Sequence, residues 1–160
     1  ILNSSRTTRF MTPADGAERQ FRDAVLSLSG KAAFARAFVN GGRLSRPCTY
    51  GLGDAPDDAS LPAASRPGSV APDAPLGNAW MIEELGGEPI LLALGCAAPE
   101  IEGVKVLAPE ISDMVARRYL GEATQALYLI RPDQVVAARW VAATAGDISA
   151  ALAAMWGKKA

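Results

Sequence analysis

No histidine occurs anywhere in the 160 residues. That excludes Ser-His-Asp and Cys-His nucleophilic sites, histidine metal ligation, and any side chain that titrates unperturbed near neutrality. Cysteine is almost as scarce. Cys48 and Cys96 cannot close a four-thiolate zinc site, and their spacing is not that of a CxxC motif. Two unpaired thiols are the default reading. Charge of one sign is missing too: sixteen basic and seventeen acidic residues leave a net charge of −1, which gives no electrostatic footprint for nucleic acid or an anionic membrane. The longest apolar run, between Pro89 and Pro99, is about half the roughly 20 residues needed to span a bilayer. The opening "ILNSSRTTRF" lacks the apolar centre of a signal peptide. These absences predict the body of a cytoplasmic protein with no nucleic-acid or membrane partner, and a first residue that is Ile rather than Met reads as a fragment.

An apolar fraction of 49% is ordinary for a globular chain of one domain, with or without an appendage. Thr12-Pro13-Ala14-Asp15 predicts a helix start, with Thr12 as the cap and Pro13 at the first helical position. Phe21, Ala24, Val25 and Leu28 follow at helical spacing, and a second short helix carries Phe34, Ala37 and Phe38 up to Asn40-Gly41-Gly42. The expectation is a helical hairpin over residues 1–42 with aromatics on its inner side. Residues 43–78 hold six of the eleven prolines and show no periodicity. They read as an extended arm or linker, with Leu44, Tyr50, Leu52, Leu61 and Val70 available to tack it down.

Residues 79–160 carry α/β signals. "EPILLALG" and "VKVLAP" are strands, and Pro109-Glu110 predicts a helix start, with Ile111, Met114 and Val115 on one face and Gly121 at the end. "LYLIRPDQVVAARW" is a hairpin in which Pro132 and Asp133 make the turn between strands 127–130 and 135–140. A last helix starts at Asp147, repeats Ile148, Ala151, Leu152 and Met155, and finishes in "GKKA". The order predicts an α/β fold: a thioredoxin-like mixed sheet with flanking helices, preceded by the helical hairpin and the Pro/Gly-rich arm. Such a sheet ordinarily needs about a dozen residues or more to cross between its first two parallel strands, and "GCAAPEIEG" is short of that. Either the crossover is cut to a loop, or strands 90–94 and 104–107 are not parallel neighbours.

"YLIRPDQVVAARW", with Arg131, Pro132, Asp133, Arg139 and Trp140, closely resembles the carboxyl-terminal hairpin of FAD-dependent aromatic monooxygenases, the group that includes phenol hydroxylase and 3-(3-hydroxyphenyl)propionate hydroxylase. "RFMTPADGAERQFRDAVLSLSG" and "NGGRLSRPCTYGLG" resemble the helical segment trailing the flavin domain in that family and its exit into the arm. The resemblance implies a parent enzyme in which FAD, reduced by NAD(P)H, hydroxylates an aromatic ring with O₂. It assigns no catalytic, cofactor-binding or metal-binding residue here. The GxGxxG pyrophosphate loop is not in this sequence, and "NGGRLS" and "ELGGEP" have neither its spacing nor its place between a strand and a helix. The expectation is therefore a redox-inactive carboxyl-terminal domain, with no cofactor of its own. Its partners would be the flavin domain of the same parent chain and a second copy. A free-standing interaction or dimerisation module is the alternative.

Cys96, just past a strand, stands where a thioredoxin carries its nucleophile, but position 99 is Pro where a resolving thiol would be. A small apolar role is the plainer reading. Arg131 and Asp133 read as residues of a turn, and Arg139-Trp140 as a cation–π pair or, more simply, a core or interface position. Trp80 and Trp156 fall under the same core-or-interface reading. Ser4, Ser5, Thr7 and Thr8 beside Arg6 and Arg9 read as a connection to further sequence. Asp54, Asp57 and Asp58 read as solvated turn residues of the arm.

Overall fold

The computed structural model describes residues 8–39 and 48–157. The chain divides into two compact units, Ile1–Pro47 and Cys48–Ala160. Asn40-Gly41-Gly42, Leu44, the residues before Thr8 and the final Lys-Lys-Ala lie outside the described residues.

In the first unit, helix α1 runs over Gly16–Ser29 and α2 over Ala33–Val39. The start of α1 falls three residues beyond the predicted one. Asp15 is the cap, its carboxylate accepting from the Glu18 N–H at 2.8 Å, and a carboxylate competes better than a threonine hydroxyl for that N–H. Thr12 instead donates its N–H back to the Thr8 carbonyl. The packed residues are small: Val25 and Ala35 are buried, whereas Phe21 and Phe34 are 56% and 66% exposed. The expectation of inward-facing aromatics is thus corrected for both rings. Two short helices meet over too little surface to enclose a phenyl ring. The Phe38 side chain lies outside the described residues.

The first strands of the second unit form a small ribbon, β1 (Pro75–Leu76) and β2 (Ala79–Trp80), followed by the helical turn α3 (Met81–Glu84). Its main sheet contains β3 (Ile90–Leu94), β4 (Lys105–Leu107), β5 (Ala126–Ile130) and β6 (Val136–Trp140) in the order β4-β3-β5-β6. β3 and β4 pair in parallel, and the other two pairings are antiparallel. The question of the short crossover is answered: the two strands are parallel neighbours and the connection is a loop.

β3 and β5 are buried at every position, as central strands covered on both faces must be. Ile90, Leu92 and Leu94 face one layer with Tyr128 and Ile130; Leu91, Ala93 and Leu127 face the other with Ile148. The second face is covered by the last helix, α5 (Ala145–Met155). That helix begins before Asp147 because Thr144 caps it, and Asp147 returns a bond to the Thr144 N–H at 2.8 Å in a reciprocal box. The first face is covered by the turn α4 (Asp113–Val115) and the π-turn Ala116–Leu120 that continues it. Here too the start is later than predicted. The start read at Pro109-Glu110 gives way to Ser112, whose hydroxyl accepts from the Val115 N–H, while Ile111 is exposed. Gly121, at φ +61°, ends the segment.

The proline-rich arm belongs to this unit from Cys48 onward, so the sheet-bearing body starts well before residue 79. Leu61, Ala71 and Ala74 enter the core beneath the first face, whereas Tyr50 and Val70 are exposed. The arm also closes the free edge of β6. Val136 donates to the Ser69 carbonyl at 2.9 Å, Gly68 to the Val136 carbonyl at 2.8 Å, and Arg139 to the Pro56 carbonyl at 3.0 Å. Pro56 takes part through its carbonyl, the one backbone hydrogen-bonding group that a proline keeps. The arm thus supplies what an exposed sheet edge needs to avoid pairing with another chain.

Candidate functional site

The densest polar constellation of the second unit lies between the hairpin and the arm. Arg139, on β6, is 3% exposed. Its guanidinium donates to the Asp57 carboxylate at 2.6 Å and to the Pro62 carbonyl at 2.5 Å, and it lies beside the Tyr128 hydroxyl. Tyr128 donates to the Tyr119 carbonyl and contacts the Ser65 hydroxyl at 3.1 Å. Tyr119 in turn donates to the Pro72 carbonyl, and Arg118 to the Asp73 carbonyl. The two tyrosine rings meet edge to face, with centroids 5.1 Å apart. Among the described residues, no buried side-chain nitrogen or oxygen lacks a partner. The bonds of the constellation hold residues 57–73 against the sheet and the π-turn, and β5 against the π-turn. Its chemistry is that of a clamp.

Burial pushes the Tyr119 hydroxyl well above the usual phenol range, helped by Tyr128 and Asp73 and opposed by Arg118. Burial also raises Tyr128, against the lowering effects of Ser65 and Arg139. A phenol whose folded value is raised holds its proton in the folded state after the unfolded chain has lost it. Its stabilising contribution is complete below about pH 10 and falls away above it. Stability is expected to decline in alkali by about 1.4 kcal/mol per pH unit from Tyr119 alone. Urea midpoints should approach this slope above about pH 10, where the unfolded phenol ionises, and Tyr119→Phe should remove its share of it.

Arg131 and Asp133 form a two-pronged ion pair across the turn, at 3.0 and 2.7 Å, and Asp133 also accepts from the Val135 N–H. Gln134 occupies the left-handed position (φ +66°) of this turn, where glycine or asparagine is commoner. Its side chain reaches the Leu85 carbonyl at 3.4 Å.

Arg139 and Trp140 do not stack on each other. As neighbours on a strand they leave opposite faces: Arg139 turns to Asp57, and Trp140 packs with Leu91, Ala138 and Ile148. Trp80 and Trp156 are about half exposed.

Asp58 accepts from the backbone and hydroxyl of Ser60, and these bonds hold its carboxyl below the usual range. Asp57 is solvent-exposed, as expected of the arm, but it is also the counterion of a buried arginine. The signal for it was an arginine inside an otherwise apolar strand, which requires a carboxylate from elsewhere in the chain. No group of His, Cys, Asp or Glu among the described residues could hold a metal ion. Cys96 is half-buried against the layer of Leu91, Ala93 and Leu127, its thiol directed at the Ala126 carbonyl. Cys48 is exposed, and both thiols are free.

Among the described residues, the Gly86-Gly87 turn does not have the setting of a dinucleotide loop. Gly86 and Gly87, both at positive φ, form a turn leading into β3, whereas a pyrophosphate is held by a turn leading out of a strand into a helix. The shallow depression beside β4 is lined by Glu100, Ile101, Glu102, Val104 and Val106, and its acidic rim would repel phosphate. "NGGRLS" lies outside the described residues.

Fold and clamp together define a mixed α/β domain whose polar core serves its own cohesion. No family model matches the sequence, and no curated protein matches it. Solved structures do share its fold. One is aklavinone-11 hydroxylase in a ternary complex with FAD and aklavinone, with a TM-score of 0.56 at 20% identity over 75% of this chain and 28% of the hydroxylase. Another is RebC-10x, native and K252c-bound, with a TM-score of 0.50 at 19% identity over 86% of this chain and 29% of that one. The chain therefore spans less than a third of the length of the structures it matches.

Proposed function

We propose that these residues form the carboxyl-terminal, structural and oligomerisation region of a FAD- and NAD(P)H-dependent aromatic-ring hydroxylase, a thioredoxin-like domain that is not catalytic alone. The supporting observation is the likeness of fold to a hydroxylase crystallised with FAD, over three quarters of this chain and little more than a quarter of the other. The wording of the hairpin around Arg131-Pro132-Asp133 agrees with it. The strand order β4-β3-β5-β6, with one parallel and two antiparallel pairings, supports the thioredoxin-like part of this reading, in which the first crossover helix has become a loop. In this reading Cys96 is a packing residue. Flavin, when bound by the parent, supplies the oxygen-activating chemistry, and the present residues stabilise the flavin domain through the exposed apolar surface of the helical hairpin and bring two copies together.

The test has two arms. Sequencing the coding region upstream of Ile1 should reveal a strand–GxGxxG–helix fingerprint. The purified 160-residue chain should be colourless, inactive towards phenols and disulfides, and associated with itself in light scattering, with the amino-terminal helices exchanged between copies as one route. A yellow sample, or turnover of either substrate class, would refute the proposal. An upstream region without the fingerprint would leave the free-standing interaction module in its place.

A further inference from the structure

β4 is the one strand of the main sheet whose outer side faces none of the described residues in a ladder. In a parallel pair, hydrogen-bonding residues alternate along each strand. Lys105 donates to the Pro89 carbonyl at 2.9 Å, and the register sets Lys105, Val106 and Leu107 beside Ile90, Leu91 and Leu92. Lys105 and Leu107 therefore bond inward, and Val106 turns its N–H and carbonyl outward. Its side chain is 41% exposed and continues the apolar strip of Ile101 and Val104.

The charges beside this edge choose its occupant. Lys105 is paired with Glu84 at 3.0 Å, whereas Glu100, Glu102 and Glu110 form no ion pair among the described residues. A second copy would bring the same unpaired acidic residues, Glu100, Glu102 and Glu110, to an edge already flanked by them, whereas a strand with basic ends meets charge of opposite sign.

We propose that the β4 edge is a strand-addition site for an extended peptide segment of a protein partner, with apolar residues at its centre and Lys or Arg at its ends. Main-chain bonds to Val106 supply affinity, and the acidic flanks select a basic-ended strand. This site is independent of the assignment to a hydroxylase.

The probe is a synthetic peptide, Val-Thr-Val-Thr-Val flanked by Lys-Arg at each end, titrated into the full chain and read by fluorescence anisotropy. Saturable binding should weaken about tenfold or more in Val106→Pro, which removes an outward donor at an edge position that tolerates proline. Urea unfolding of that variant checks that the sheet persists. A peptide N-methylated at alternate residues should fail on the unaltered protein, which keeps the test decisive if the variant does not fold. Glu102→Lys with Glu110→Lys should reverse the preference towards an acidic-ended peptide. The proposal is overturned if the basic peptide does not bind, if the acidic-ended peptide binds the unaltered chain equally well, or if the N-methylated peptide binds undiminished. It is also overturned if the edge is instead occupied by a second copy, seen as a dimer that Val106→Pro dissociates.

Discussion

Asp57→Ala is expected to destabilise the second unit by about 3 kcal/mol, and Arg139→Met by only about 1–2 kcal/mol. The ranking follows from which charge is buried. Arg139 is 3% exposed, while the Asp57 side chain is 44% exposed. Removing the aspartate strands a guanidinium between the sheet and the arm, with only the Pro62 carbonyl and the Tyr128 hydroxyl to answer it. Removing the arginine leaves an aspartate that turns to water, and methionine fills most of the vacated volume with apolar atoms. The figure for Asp57→Ala sits at the low end of the range for broken buried pairs because water reaches the carboxylate side of the contact. The combined variant should resemble Arg139→Met alone, since the aspartate has nothing to do once its partner is gone. Urea denaturation of the four proteins supplies the cycle. Hydrogen exchange at Asp58 and Arg139, whose amides join arm to strand, should quicken most in Asp57→Ala. If Arg139→Met proves the more damaging single change, the clamp is held by packing rather than by charge.

The clamp also marks where the sequence could and could not be read. β3, the hairpin and α5 were legible because each repeats one physical demand over several residues: a strand buried on both faces, a turn with preset φ, or a helix with one apolar side. Helix starts shifted by two to four residues because the capping side chain lay elsewhere: Asp15 rather than Thr12 caps α1, and Ser112 caps α4 beyond the start read at Pro109-Glu110. The Asp57–Arg139 pair spans 82 positions and leaves no local pattern at either end. The arm was read as a linker for a related reason. Periodicity detects an element that presents the same face repeatedly, whereas this segment inserts Leu61, Ala71 and Ala74 at irregular intervals and spends its backbone on one strand edge. Phe21 and Phe34 failed in the opposite sense. Their spacing was helical, but the unit around them is too small to enclose them.

Gly95→Ala should be among the most damaging changes of its size, at about 3–4 kcal/mol, where Gly103→Ala costs about 1 kcal/mol. Both glycines have positive φ, +67° and +74°, so both substitutions pay the penalty of a positive φ. They differ in what the new methyl meets. At Gly103 there is open space, while at Gly95 a Cβ would stand 2.4 Å from the Thr124 carbonyl oxygen and 3.4 Å from the Gln125 Cα. Those obstacles are backbone, and the segment they belong to enters β5, the strand paired along the whole of β3 from Ile90 to Leu94. Relief would require the chain ahead of β5 to move away from β3 at the Leu94–Ala126 end, loosening a register that buries both strands completely. Unlike a side-chain clash, this one has no rotamer by which to escape. Thermal and urea unfolding of the two variants should separate them by about 2–3 kcal/mol. Near-equal stabilities would mean that the β3–β5 junction yields to a methyl group, and that close packing at the end of the central strand is not what sets this turn.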